Sequence, residues 1–157
     1  MRLLRLRRWQ GNDEAVSSAA LEVASFGGTV LVVEDEDTLR IAVSKMLRRR
    51  GFTVIEAANG ETGVDLFRAS ALQIDVVLLD LTLPGTSGRE VLGELRRVKA
   101  NVKVIITSAY SQDQAQTTLG GQQPCLGGQQ PWRYIRKPYQ INELAGLLRK
   151  SIGTNGE

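Results

Sequence analysis

Glu34 and Asp35 follow one apolar run, Asp80 closes another, Thr107 and Ser108 close a third, and Lys137 stands before Pro138. Carboxylates brought together repel one another unless a cation offsets them. An all-oxygen donor set without histidine or thiolate favours a hard divalent ion, Mg²⁺ first and Mn²⁺ as the alternative. A carboxylate nucleophile, a metal ion, a hydroxyl and a lysine together suit phosphoryl chemistry. The chain has no histidine, so Ser-His-Asp and Cys-His catalysis and histidine-ligated metals are excluded. Its single cysteine, Cys125, cannot form an intrachain disulfide or a multi-thiolate zinc site, which fits a reducing cytoplasm.

The elements that must position these residues alternate in period. Val30 to Val33 is a continuous apolar, β-branched run, the pattern of a strand buried on both faces. Leu39, Ala42, Val43, Met46 and Leu47 follow at helical spacing, with Asp37 as N-cap and Gly51 just past the end. The spacing then predicts a strand over Phe52–Glu56, a helix over Glu61–Ala69 and a buried strand over Asp75–Asp80. Ser87 with Glu90 reads as a capping box, opening a helix whose inner face is Val91, Leu92, Leu95 and Val98. A strand over Val102–Thr107, a short helix from Gln112, a strand over Arg133–Arg136 and a helix facing inward through Ile141, Leu144, Ala145, Leu148 and Ile152 complete the pattern. Five β/α units with short connections imply a doubly wound parallel sheet. In such sheets ligands bind beyond the carboxyl ends of the strands, where all the residues singled out above fall.

The chain is 157 residues long with 42% hydrophobic and 24% charged residues, enough for one ordinary domain. No apolar stretch is long enough to span a membrane, and MRLLRLRRWQ lacks the apolar core of a secretory signal. Residues 1–27 show no sustained period and read as an N-terminal extension or linker, and 154–157 as a tail. Arg2, Arg5, Arg7 and Arg8 carry much of the net charge of +3 and read as a solvated arm. Arg48, Arg49 and Arg50 suit the negative end of a helix. Leu119-Gly-Gly-Gln-Gln-Pro-Cys125 is followed at once by Leu126-Gly-Gly-Gln-Gln-Pro-Trp132. Glycine and proline in both copies argue against a helix, so 119–132 is expected to be an inserted surface loop in the 28–153 domain.

Four motifs in order carry a family resemblance: Val-Leu-Val-Val-Glu34-Asp35-Glu36, Leu-Leu-Asp80-Leu-Thr-Leu-Pro84-Gly-Thr-Ser-Gly88, Ile-Ile-Thr-Ser108-Ala-Tyr110 and Tyr134-Ile-Arg-Lys137-Pro138-Tyr139. The chain resembles the receiver domain of two-component response regulators, and in particular the terminal receiver of hybrid sensor histidine kinases. The resemblance implies a CheY-like, flavodoxin-like three-layer α/β/α fold with strand order 2-1-3-4-5. It implies Asp80 as phosphoacceptor, Asp35 as a direct Mg²⁺ ligand, Glu34 assisting, and the Thr82 carbonyl as a further ligand. It implies that Lys137 pairs with the phosphoryl group, that Ser108 rather than its neighbour Thr107 is the switch hydroxyl, that Tyr134 is the aromatic switch, and that the Lys137–Pro138 bond is cis. The implied partners are a sensor histidine kinase or a histidine phosphotransfer protein, with a homodimer through the face of the fourth helix, fifth strand and fifth helix. On that reading the isolated chain is not an enzyme, although it promotes phosphorylation and dephosphorylation of its own Asp80.

Two other functions compete. An aspartyl-nucleophile phosphohydrolase of the haloacid-dehalogenase type needs an acid two residues after the nucleophile, where this sequence has Thr82. A pseudo-receiver that binds without phosphorylation is disfavoured because every side chain type required is present. After Ile152 five residues remain, too few for a DNA-binding or other effector domain, so a single-domain regulator or a fragment of a hybrid kinase is expected.

Overall fold

The computed structural model describes residues 27–120 and 132–153. The parallel strands β1 (Thr29–Val33), β2 (Thr53–Ala57), β3 (Val76–Asp80), β4 (Val104–Ser108) and β5 (Trp132–Arg136) lie in the order β2-β1-β3-β4-β5. Between and after them run α1 (Asp37–Arg49), α2 (Gly60–Ser70), α3 (Gly88–Val98), α4 (Gln112–Thr118) and α5 (Ile141–Gly153). This is the CheY-like, flavodoxin-like arrangement that the resemblance implies.

Side-chain alternation along the sheet divides the core into two layers. On one face Val30, Val32, Val76, Leu78 and Ile105 meet Val43 and Leu47 of α1 and Leu144 and Leu148 of α5. On the other, Leu31, Val33, Val77, Leu79 and Ile106 meet Val64 and Phe67 of α2, Val91, Leu92 and Leu95 of α3 and Ala115 of α4. Every residue of β3 and β4 is buried, which is why those strands read as apolar runs up to the polar residues at their carboxyl ends. Gly63 lets α2 approach the sheet closely, because a Cβ there would lie 2.9 Å from the Val33 side chain.

Helix ends follow local chemistry. Gly51, at φ 89°, terminates α1 with its N–H on the Arg48 carbonyl while the Phe52 N–H reaches the Leu47 carbonyl, the paired bonds of a Schellman motif. The Ser87–Glu90 capping box is present, and Ser111 makes a second one with Gln114. Asp37 is not the N-cap of α1. Glu36 holds that position without a side-chain cap, and the Asp37 carboxylate instead accepts from Arg40 at 2.5 Å. Asp75 likewise stands outside β3, where its carboxylate accepts the Thr29 N–H at 2.7 Å and fixes the start of β1.

The duplicated segment differs at its two ends from the loop expected over 119–132. Leu119 caps α4 and Trp132 begins β5, and both are buried in the core, at 2% and 6% exposure. An apolar side chain at each end outweighs the loop character of the glycines and prolines between. Residues 121–131 lie outside the described residues, as do 1–26 and 154–157. Among the described residues no helix is long and apolar enough to cross a membrane.

Candidate functional site

The carboxyl ends of β1 and β3 lie side by side because those strands pair in register from Val30 with Val76 to Val33 with Leu79. Glu34 and Asp35 leave β1 at the level where Asp80 ends β3. Ligand oxygens of Glu34, Asp35 and Asp80 lie within 4.8 Å of one another. Glu34 and Asp80 are buried, at 5% and 3% exposure, whereas Asp35 is exposed. Lys137, delivered from the end of β5, places its Nζ 2.7 Å from Glu34 Oε2 and 2.8 Å from Asp80 Oδ2. The peptide bond between Lys137 and Pro138 is cis, as the resemblance implies.

Asp80 is held on both carboxylate oxygens. Its Oδ1 accepts from the Thr82 N–H and the Thr82 hydroxyl, each at 2.9 Å, while Oδ2 faces Lys137. Burial works against the charged form, but the Lys137 and Thr82 hydrogen bonds outweigh it and hold Asp80 below the usual aspartate value. Asp80 is therefore an anion at neutral pH. Glu34 differs, since burial first and the neighbouring Asp80 charge push its pKa up against the pull of Lys137. For Lys137 burial opposes the charge, yet its bonds to Asp80 and Glu34 prevail and raise its pKa.

The donor set fits a hard divalent cation. Three carboxylates against the single Lys137 ammonium leave a formal charge of −2, and every candidate ligand atom is oxygen. A divalent ion bound there would offset that charge.

The hydroxyls at the end of β4 are placed differently from each other. Thr107 stands in register with Asp80 and lines a small cavity together with Glu34, Leu39, Arg40, Val43 and Tyr139. Ser108 is fully buried, and its Oγ accepts the Tyr110 N–H at 3.1 Å. Tyr134, partly buried on β5, donates its hydroxyl to the Tyr110 carbonyl and lies 3.5 Å from the Ser108 carbonyl. Glu34, Asp35, Asp80, Lys137 and Thr82 thus form one cluster, with Ser108 and Tyr134 linked to each other beside it. Sequence reasoning gave no role to Arg40 or to Tyr139. Burial raises the Tyr139 hydroxyl to about 12.

A parallel sheet of this order, with a buried aspartate flanked by an acidic pair, a hydroxyl-bearing strand end and a lysine, defines a receiver-type α/β domain. The family model described as response regulator receiver domain matches residues 30–149. This chain belongs to that family. It is 29% identical over 154 residues to the sensor kinase CckA of Brucella abortus, covering 96% of this chain and 16% of the kinase. It is 30% identical over 126 residues to the sporulation initiation phosphotransferase F of Bacillus subtilis, covering 78% of this chain and 92% of that protein. The crystal structure of the Thermotoga maritima response regulator TrrA in complex with Mg²⁺ and BeF superposes with a TM-score of 0.63 at 30% identity, covering 79% of this chain and 98% of that one. The chain thus spans less than a fifth of the CckA kinase it resembles.

Proposed function

We propose that this domain accepts a phosphoryl group on Asp80 from a phosphohistidine and signals by the change that follows. The observation that carries this reading is the Asp80 carboxylate, buried at the end of the central strand yet kept ionised by Lys137 and Thr82. One carboxylate oxygen attacks phosphorus, a P–O bond forms, the P–N bond to the donor imidazole breaks, and its electron pair stays on that nitrogen. No histidine exists among these 157 residues, so the donor lies outside them, on a sensor histidine kinase or a histidine phosphotransfer protein.

Each neighbour has a part. Asp35, Glu34, Asp80 and the Thr82 carbonyl would hold Mg²⁺, or Mn²⁺ in its place. The ion supplies charge neutralisation at the phosphoryl oxygens and at the crowded carboxylates. Lys137 moves from pairing Asp80 to pairing the phosphoryl group. Ser108 responds with its hydroxyl, and Tyr134 transmits the change to the face of α4, β5 and α5 by biasing two existing arrangements. That face is also the surface offered to a second copy of the domain. Similarity to the sensor kinase CckA and to the receiver domain of the hybrid histidine kinase CckA supports an origin in a hybrid histidine kinase, and a phosphohistidine donor is consistent with a cytoplasmic domain.

Radiolabelled phosphohistidine phosphotransfer protein, mixed with the wild-type domain and Mg²⁺, tests the reading. Label is expected to move to the wild-type chain and not to Asp80→Asn. Label retained on the donor with both proteins contradicts it.

A further inference from the structure

Arg40 lies on the inner face of α1 with only 12% of its side chain exposed, although it belongs to no family-motif residue described above. Its guanidinium divides its donors among three elements. Nη1 donates to the Glu34 carbonyl at 3.0 Å, Nη2 donates to Asp37 Oδ1 at 2.5 Å, and Nε lies 3.7 Å from Glu56 Oε2 on β2. Glu56 is itself oriented, since Arg48 pairs with it at 2.8 Å and also donates to the Val54 carbonyl at 3.0 Å. A run of contacts, with an ion pair between Glu56 and Arg40 and a hydrogen bond from Arg40, therefore links the edge strand to the peptide joining Glu34 to Asp35.

We infer that Arg40 is a positioning residue that fixes the Glu34–Asp35 peptide so that both carboxylates face Asp80. The inference rests on the metal-binding role proposed above for that pair. The Glu34 carbonyl is the atom that Arg40 holds, and rotation of that peptide would swing the exposed Asp35 away from the cluster. The Glu34 N–H is held on the Ala57 carbonyl, and beyond the peptide the Glu36 N–H donates to Glu34 Oε1 at 3.2 Å, but the Glu34 carbonyl itself is held by Arg40. A planar fork that reaches three acceptors on different elements can restrain it, and a lysine ammonium on a flexible stem cannot.

The sign of the effect separates positioning from charge. Arg40 is a cation near a cation site, so by electrostatics alone its removal tightens divalent binding. By positioning, its removal weakens binding.

The experiment is calorimetric titration of Mn²⁺ into the metal-free full chain, with thermal unfolding of each variant in chelator as the folding control. Asp35→Asn identifies the site. If the wild-type chain shows no Mn²⁺ binding that this change removes, the proposed function fails and the inference with it. Given such binding, Arg40→Gln is expected to raise the dissociation constant about tenfold, the usual size for loss of a group supporting a metal ligand. Arg40→Lys keeps the charge and should remain about threefold or more weaker than wild type. Glu56→Gln leaves Arg40 in place but loosens it, with an expected two- to threefold weakening of roughly the same origin. Should Arg40→Gln fail to fold, Arg40→Lys decides. Wild-type or tighter binding in Arg40→Gln, or full recovery in Arg40→Lys, overturns the inference.

Discussion

Two groups of ion pairs in this molecule use the same chemistry in opposite settings. Between α2 and α3, Arg68 pairs with Glu94 at 2.9 Å and Asp65 at 3.5 Å, while Arg97 also pairs with Glu94. Those arginines are 53% and 79% exposed, and solvent screens them. At the carboxyl edge of the sheet, Lys137 is 20% exposed and its two partners no more than 7%. There each charge has lost most of its water and depends on its neighbours. The pairs on α2 and α3 decorate a surface, whereas the sheet-edge cluster sets which groups are charged and where.

Replacing Lys137 with alanine should have the largest effect. It leaves Glu34 and Asp80 buried without their common counter-charge, so stability in chelator is expected to fall by about 2 kcal/mol or more. The rate of phosphorylation of Asp80 by acetyl phosphate should fall about a hundredfold, in line with loss of one preorganised charge from a reacting site. Chemical denaturation and a phosphorylation time course read both. Small effects on both would place the sheet-edge cluster with the surface pairs.

The alkaline limb of stability sharpens the contrast. The folded pKa of Lys137 is raised above 10.5, so its contribution is present below that value and is lost as pH rises through the folded one. Tyr139, raised from 10.0 to about 12, acts in the same direction, because the folded state favours the neutral phenol. Melting temperature should therefore decline from pH 10 to 12, and less steeply in Tyr139→Phe. Parallel curves for the two proteins would remove Tyr139 from this account. Asp80 acts at the other extreme: its depressed pKa gives stability above the usual 3.8 that is lost on further acidification.

Ser108→Ala should leave phosphorylation of Asp80 within about a few fold, since other groups carry the charge of the reaction. Its expected defect is in the response, read as amide NMR shifts on β5 and α5 after phosphorylation. An undiminished shift pattern would transfer the switch role to Thr107, which stands in register with Asp80. Least of all, Glu94→Gln should change stability by no more than about 1 kcal/mol and leave phosphorylation untouched.

Most of the fold was legible because β1, β3 and β4 are buried on both faces and are apolar up to the polar residues at their ends, while α1, α3 and α5 bury one stripe. The cluster was legible because its residues fall at strand ends, where the topology brings them together. Other features depend on long-range contacts. Asp37 has the type of an N-cap, but Arg40 competes for its carboxylate. Asp75 continues an apolar run in sequence, yet it is drawn to the start of β1. Leu119 and Trp132 sit among loop-forming residues and are nevertheless taken into the core. Arg40 gave no signal beyond its place three residues after Asp37 on the inner helix face, since its partners on β1 and β2 are apparent only in three dimensions.

Asp80 alone is expected to accept a phosphoryl group, and to do so only with a divalent ion. Intact-protein mass spectrometry after incubation with acetyl phosphate and Mg²⁺ tests it most directly, comparing wild type, wild type with chelator, and Asp80→Asn. The mass of one added phosphoryl group is expected in the first sample and none in the other two. Phosphorylation of Asp80→Asn, or an unchanged yield under chelation, would contradict it.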